Sequence, residues 1–272
     1  MVRTRSGLTS ARIQAVMRAL YRTHIAVLVL LVGHVHAQRD TLRFDHLVFF
    51  VSDSALEYAL THQLFQPAEK LATEHPGQGT EGHYVLFLNT SIEFLYLRDT
   101  IAAQANEERF GSPYTQRWKP GANPLAFGLI ADPFDSTLSG FRTYHGPDQP
   151  IEECYLMAEG NTDPTQPLVY ASMPHRAHKS LASLEEVERV DPAIREDLRY
   201  YLEHPSDIRT LTGLSLSVPD STWATGNVAL LHGLEGLDVH AGPTHTLTLE
   251  FDDGVQGREF RWDQGITLLV RY

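Results

Sequence analysis

The chain has 272 residues, a formal net charge of −12 and a single cysteine, Cys154. Phosphate backbones are bound by neutralising Lys and Arg, so this acidity speaks against nucleic acid, and one cysteine rules out an intramolecular disulfide. Stability must come from a hydrophobic core, which a chain this long can bury as one large domain or two small ones.

Arg3, Arg5, Arg12, Arg18 and Arg22 precede the first acid, Asp40, and are followed by HIAVLVLLVGHVHAQ. A basic start, a short apolar core and small residues after it make a secretory signal peptide. The run Ile25–Gly33 is too short to span a bilayer core of ~30 Å, which takes ~20 residues, so a cleaved leader is expected in place of a retained anchor. Val35, His36 and Ala37 put the cut between Ala37 and Gln38, and a start at Met17 would leave this unchanged. Cleavage removes five arginines and no acids, moving the charge from −12 to −17. The expected location is periplasmic or extracellular.

Strand-like runs, rich in Val, Leu, Phe, Tyr and Thr and mostly bounded by turn formers, fall at Leu42–Val51, His83–Asn89, Ile92–Leu97, Leu125–Ala131, Leu168–Ala171, Leu211–Val218, His245–Phe251 and Ile266–Arg271. After the first, SDSALEYALTHQLF carries Leu56, Ala59, Leu60 and Leu64 at helical spacing behind a Ser or Asp cap. The order across Leu42–Leu97 is thus β-α-β-β, with a further strand around Lys70–Thr73 and a hairpin closed at Asn89-Thr90-Ser91. A strand followed by a short helix returns in NPLAFGLIADPFDSTLSGFRTYHG and in LTGLSLSVPDSTWATGNVALLHG, and two more strands close the chain. Repeats of one topology imply paired modules sharing a sheet or barrel. The charged segment SLASLEEVERVDPAIREDLRYYLEHPSD reads as two surface helices split at Pro192, the second over about Pro192–His204. Glu152 and Glu153 would raise the pKa of Cys154, so a buried inert thiol is expected.

Regular alternation along FDHLVFFV puts His46 on one face with Val48 and Phe50, and Asp45 on the opposite face. Glu93, in SIEFLYL, shares a face with Leu95 and Leu97, where a carboxylate is costly unless it is paired or binds a cation. If the first and fourth strands line one concave sheet, His46 and Glu93 converge, and an imidazole with a carboxylate suits a first-row divalent metal. The alternatives are a backbone hydrogen bond for His46 and an ion pair of Glu93 with Arg98 or Arg142. In EHPGQGTEGHYV, Gly77 and Gly79 suit a tight turn of positive φ, and its exposed N–H groups would cradle an anionic substrate group.

Together FDHLVFFV, the helix after it, EHPGQGTEGHYVLFL and TSIEFLYL resemble a glyoxalase-like domain of the vicinal oxygen chelate superfamily over Phe44–Leu97. The resemblance implies an α+β fold, with paired βαβββ-type modules forming a cupped mixed β-sheet and helices on the outside. It implies His46 and Glu93 as ligands of a divalent metal ion of unspecified identity, with Glu93 also the catalytic carboxylate. His75, Gly77, Gly79 and Thr80, before the third strand, and His83 on it become the ligand-binding candidates. The first module would span 42–98, with later modules at about 124–172 and 210–272 joined by the helical segment 180–205. The superfamily completes its metal site from the partner module with a second His or Gln and a second Glu. Overlays put Gly213 or Ala126 at the His46 position and Thr267 at the Glu93 position, none of them a ligand, leaving His75, His83, His175, His178 and Glu250 as candidates to fill the gap.

Two functions follow from the resemblance. One is an exported lyase or isomerase of small oxygenated substrates, with the metal as Lewis acid. The other is a non-catalytic small-molecule-binding protein that uses the same cup, its walls carrying Phe50, Phe87 and Tyr96. A small-molecule ligand or substrate is the expected partner, with no stable membrane insertion after signal cleavage; a homodimer is left open. The charged helices give the only hint of an interaction module. GLSLS lacks the spacing of a nucleophile elbow, and FDDG lacks the further ligands of a calcium loop.

Overall fold

The computed structural model describes residues 41–110, 114–147, 154–178, 180–219 and 225–272; the expected leader, its cut, Glu152 and Glu153 lie outside them. The first module is β1 (Leu42–Val51), α1 (Ala55–Gln63), β2 (Thr73–His75), β3 (Thr80–Leu86) and β4 (Ser91–Leu97), so the further strand expected around Lys70–Thr73 forms slightly later in the chain, after a 3-10 turn at Glu69–Leu71. Helix α2 (Thr100–Phe110) and a 3-10 turn at Tyr114–Trp118 lead into β5 (Leu125–Ala131), β6 (Phe141–Tyr144), β7 (Tyr155–Ala158) and β8 (Leu168–Ser172). These eight strands form one sheet in the order β2-β3-β4-β1-β5-β8-β7-β6. Its two halves mirror each other: β1 runs parallel to β4, β5 runs parallel to β8, and β1 and β5 pair antiparallel at the centre. The fold is therefore α+β, built on paired modules and a mixed sheet. Central strands covered on both faces read as continuous apolar runs, and all seven residues of β5 are buried.

The second module lacks the expected short helix. Residues 132–140 form turns, because Asp135 Oδ1 accepts the backbone N–H and hydroxyl of Thr137 at 2.8 and 2.7 Å, a local bond that competes with helix formation. Gly140, at φ +80°, then reverses the chain.

Helix α3 (Pro192–Leu202) is capped by Asp191, whose side chain accepts the Ala193 N–H. The first of the two expected surface helices is a 3-10 segment, Leu184–Arg189. Both pack on the β3–β4 hairpin through Leu88, Val187 and Leu202. Just beyond α3, buried His204 accepts the Gln66 N–H at 2.8 Å and donates to Leu86 O at 2.9 Å. Burial pushes its pKa down to about 4.

Residues 210–272 do not extend the cup. They form a separate five-stranded sheet from β9 (Leu211–Val218), α4 (Gly226–Leu231), β10 (Asp238–Ala241), β11 (Thr246–Phe251), β12 (Glu259–Gln264) and β13 (Ile266–Arg271). Burial alternates along β9, β11 and β13, the pattern of a sheet with one face on a core. That face packs on the rear of the first sheet, with the Phe251 ring 4.6 Å from Phe87 and 5.8 Å from Phe65. Leu47, Phe49, Phe94, Phe127, Leu216, Leu249 and Leu268 share this core. The opposite face of the first sheet, carrying Val48, Phe50, Leu95 and Ala126, packs its own smaller cluster and opens as the cup.

A buried cation knits the layers together. Arg117 donates to the carbonyls of Asn161, Pro164 and Gln166 at 2.8, 3.2 and 2.5 Å, and burial lowers its pKa to about 10. Asn227 of α4 ties into the same loop through Asn161 and Pro167. Cys154 is buried, and burial alone raises its thiol pKa, which suits the inert role expected of it.

Candidate functional site

β1 does not alternate regularly. Leu42 and Phe44 pack on the rear core, and so do Leu47, Phe49 and Val51, so the phase shifts by one residue between Phe44 and Leu47. The cause is a β-bulge. Phe44 pairs with Leu129 and His46 with Gly128, leaving Asp45 as the extra residue. Asp45 and His46 consequently line the same cavity, which corrects the expectation of opposite faces. Thr90 Oγ1 donates to the Asp45 carbonyl at 2.7 Å, satisfying a backbone group that the irregular ladder leaves over.

Three side chains then join in line. His46 Nδ1 lies 2.7 Å from Asp45 Oδ2, and His46 Nε2 lies 2.5 Å from the Tyr170 hydroxyl. The other Asp45 oxygen accepts the His178 backbone N–H at 2.7 Å. Burial opposes charge on Asp45, but the hydrogen bond and charge of His46 and the His178 N–H outweigh it and hold the carboxyl below its usual range. Beside an ionised Asp45, Nδ1 carries the proton and Nε2 accepts from Tyr170. Burial first, and Glu93 next, push the Tyr170 phenol well above its ordinary pKa, so it stays protonated. The His46 ring rests against Gly128, where a Cβ would come within 2.3 Å of its Cε1.

Glu93 is buried across the cup on β4, and Tyr84 donates to its Oε1 at 3.1 Å. Gly82 makes room for this pair, since a Cβ there would lie 2.4 Å from Oε1 and 2.6 Å from the Tyr84 hydroxyl. The cavity measures about 350 Å³, within the range of roughly 300–1,000 Å³ typical of small-molecule sites. Phe50, Leu95, Tyr114, Tyr155 and Leu168 give it apolar walls. Arg176, exposed at its rim, donates to the Tyr155 hydroxyl at 2.9 Å and lies over that ring.

The donor set does not fit the expected divalent metal. Both ring nitrogens of His46 are engaged and Glu93 is held by Tyr84. Val48 pairs with Glu93 in the first module as Gly128 pairs with Tyr170 in the second. The partner-module position matching Glu93 is therefore Tyr170, and on β5 Ala126 is the cup-facing residue opposite Val48. Gly213 and Thr267 belong to the other sheet. Among the described residues no group of three His, Cys, Asp or Glu side chains is placed to hold a metal, and protein metal sites of this kind take at least three such ligands.

The remaining candidates divide. His75 lines the cavity, its Nδ1 3.0 Å from Thr80 Oγ1, and His178 lines it too. Gly77 and Gly79, at φ +74° and +71°, serve a turn: the Gly79 carbonyl accepts the N–H groups of Arg98 and Asp99 at 2.9 and 3.0 Å. With Thr80 they face a separate shallow cleft. His83 is on the wrong face for the cup, because it stands one residue from cup-facing Tyr84. It binds Glu57 of α1 at 3.0 Å and Glu81 at 2.9 Å; burial opposes its protonation, but the two carboxylates prevail and raise its pKa. Phe87 and Tyr96, expected on the cup wall, lie in the rear core. Of the two arginines expected to pair with Glu93, Arg98 joins Glu81 instead. His175 is exposed on its loop, and Glu250 lies beside Gly213 in the second sheet. Sequence reasoning missed Asp45, Tyr84, Tyr114, Tyr155 and Tyr170 as a group.

No protein-family model matches the chain, and no curated protein matches it. Among solved structures it is similar to the crystal structure of a hypothetical protein from Staphylococcus aureus, at 10% identity and a TM-score of 0.49, covering 85% of this chain and 98% of that one.

Proposed function

We propose that the chain is an exported, glyoxalase-like small-molecule-binding protein whose cup takes a small oxygenated ligand without a metal ion. The observation that carries this is the cavity of about 350 Å³, in which tyrosine rings surround a polar end made by Asp45, His46 and Glu93. Aromatic walls bury a carbon skeleton while a few fixed polar groups orient its oxygens. Two carboxylates in one cavity disfavour a net anion, and an uncharged, oxygen-bearing ligand is the class proposed. Export rests on the basic, then apolar N-terminal sequence. Saturation-transfer NMR with small hydroxycarbonyls, polyols and sugars tests the reading. Saturable binding is expected, unchanged by EDTA and weakened when half-buried Gln78, on the cavity wall, is replaced by Trp. Binding that disappears with EDTA, or that ignores Gln78→Trp, refutes it.

A further inference from the structure

Asp45, His46 and Tyr170 form a connected line that ligand binding alone does not require. We propose that they are a metal-independent proton relay, in which Tyr170 is the acid–base group acting on an uncharged hydroxycarbonyl compound in the cup. The proposal rests on the binding reading above and adds chemistry to it.

The geometry supplies each part. The Tyr170 hydroxyl sits 2.5 Å from His46 Nε2, and His46 Nδ1 sits 2.7 Å from Asp45 Oδ2. Tyr170, His46 and Asp45 all line the cavity, so the phenol oxygen can accept from a ligand while its own proton points to His46. The bulge brings Asp45 behind the imidazole, and the His178 N–H fixes the carboxylate. Gly128 leaves space for the ring in this one place. An imidazole held by a carboxylate on one nitrogen and facing a hydroxyl on the other is the arrangement that activates hydroxyl groups in unrelated enzymes.

In the forward step Tyr170 Oη takes the proton from a carbon next to the ligand carbonyl, while its own proton passes to His46 Nε2. The C–H electron pair becomes the new C=C bond, and the carbonyl π electrons settle on oxygen as an enolate whose negative charge is balanced by the imidazolium formed on His46, so the cavity gains no net charge. The imidazolium formed is stabilised by Asp45, and reversal returns a proton to carbon. A phenol that resists ionisation suits this coupled transfer, because its proton leaves only as another arrives. Tyr170 and His46 are the catalytic residues, and Asp45 is a positioning residue acting through His46.

Dihydroxyacetone and glycolaldehyde in D2O are the probes, with binding followed by saturation transfer and C–H replacement by deuterium followed by proton NMR. Wild type should accelerate exchange saturably over buffer. Tyr170→Phe, which keeps the ring and removes one oxygen, and His46→Gln should each lose about 100-fold or more in exchange rate, with probe affinity within about threefold for Tyr170→Phe. Asp45→Asn should lower the rate at saturation by a larger factor than it changes the half-saturating concentration. Probe binding with exchange at the buffer rate, or Tyr170→Phe exchanging like wild type, overturns the relay and leaves the binding reading standing. Failure of both probes to bind overturns the ligand class, and the relay with it.

Discussion

Gly128→Ala would test how the site is held together. A Cβ at residue 128 would lie 2.3, 2.6 and 2.7 Å from Cε1, Nδ1 and Nε2 of His46, against an ordinary contact beginning at 3.4 Å. The neighbouring atom is a ring clamped at both ends, so relief needs the imidazole to move by roughly 1 Å. Hydrogen bonds of 2.7 and 2.5 Å cannot both survive such a displacement, because heavy-atom separations near ~3.6 Å no longer count as bonds. Losing one bond to a charged group costs about 1.5–3 kcal/mol and losing a neutral one about 1 kcal/mol. Losing one of them costs about 1–3 kcal/mol and losing both about 2.5–4 kcal/mol, or roughly 2–16 °C in Tm for a domain of this size. Thermal unfolding followed by circular dichroism gives the stability, and the ring-proton NMR signals of His46 report its position. An unchanged Tm with unchanged His46 signals would show that the ring does not rest on Gly128.

The depressed pKa of His204 makes stability depend on acid. Its folded pKa of about 4 lies below the ordinary 6.5, so the unfolded chain binds the extra proton first; the contribution is complete above about pH 6.5 and is lost as pH falls toward 4. At ~1.4 kcal/mol per pH unit this amounts to about 3 kcal/mol. Urea unfolding of wild type and His204→Gln across pH 4–7 should show a shallower acid slope in the variant, and parallel slopes would refute the assignment. Arg117→Met should cost about 2–5 kcal/mol, because it leaves the buried carbonyls of Asn161 and Gln166 without their donor; a midpoint within error of wild type in the same urea assay would refute that role.

Much of the first module was legible because its signals are local. Apolar content marks β1, β5 and β8, and i, i+4 spacing marks α1, since burial of one face imposes period and composition on the residues themselves. Strands β6, β7, β10 and β12 escaped notice because they are short, and Glu259–Gln264 is largely exposed and polar. The bulge was within reach of the sequence: Leu42 and Phe44 are apolar in one phase, and Leu47, Phe49 and Val51 in the other. Imposing a single alternation across that shift put Asp45 on the wrong face. The same parity, applied correctly, would have sent His83 to the side of α1 and away from the cup.

The sequence by itself determined the α+β class, the placement of His46 and Glu93 on neighbouring strands facing one cavity, and the positions of most core strands. Local chemistry accounts for these: side-chain alternation, turn residues and apolar runs act within a few positions. Only the tertiary structure decided which strand completes the cup, because pairing across 124 residues brings Tyr170 to His46 through a register that no short window contains. It also sent residues 210–272 to the rear of the sheet, where their one apolar face finds the larger uncovered core. A polar group's partner is set by such packing, and so the half-built metal site of the sequence became a carboxylate, an imidazole and a phenol joined in line.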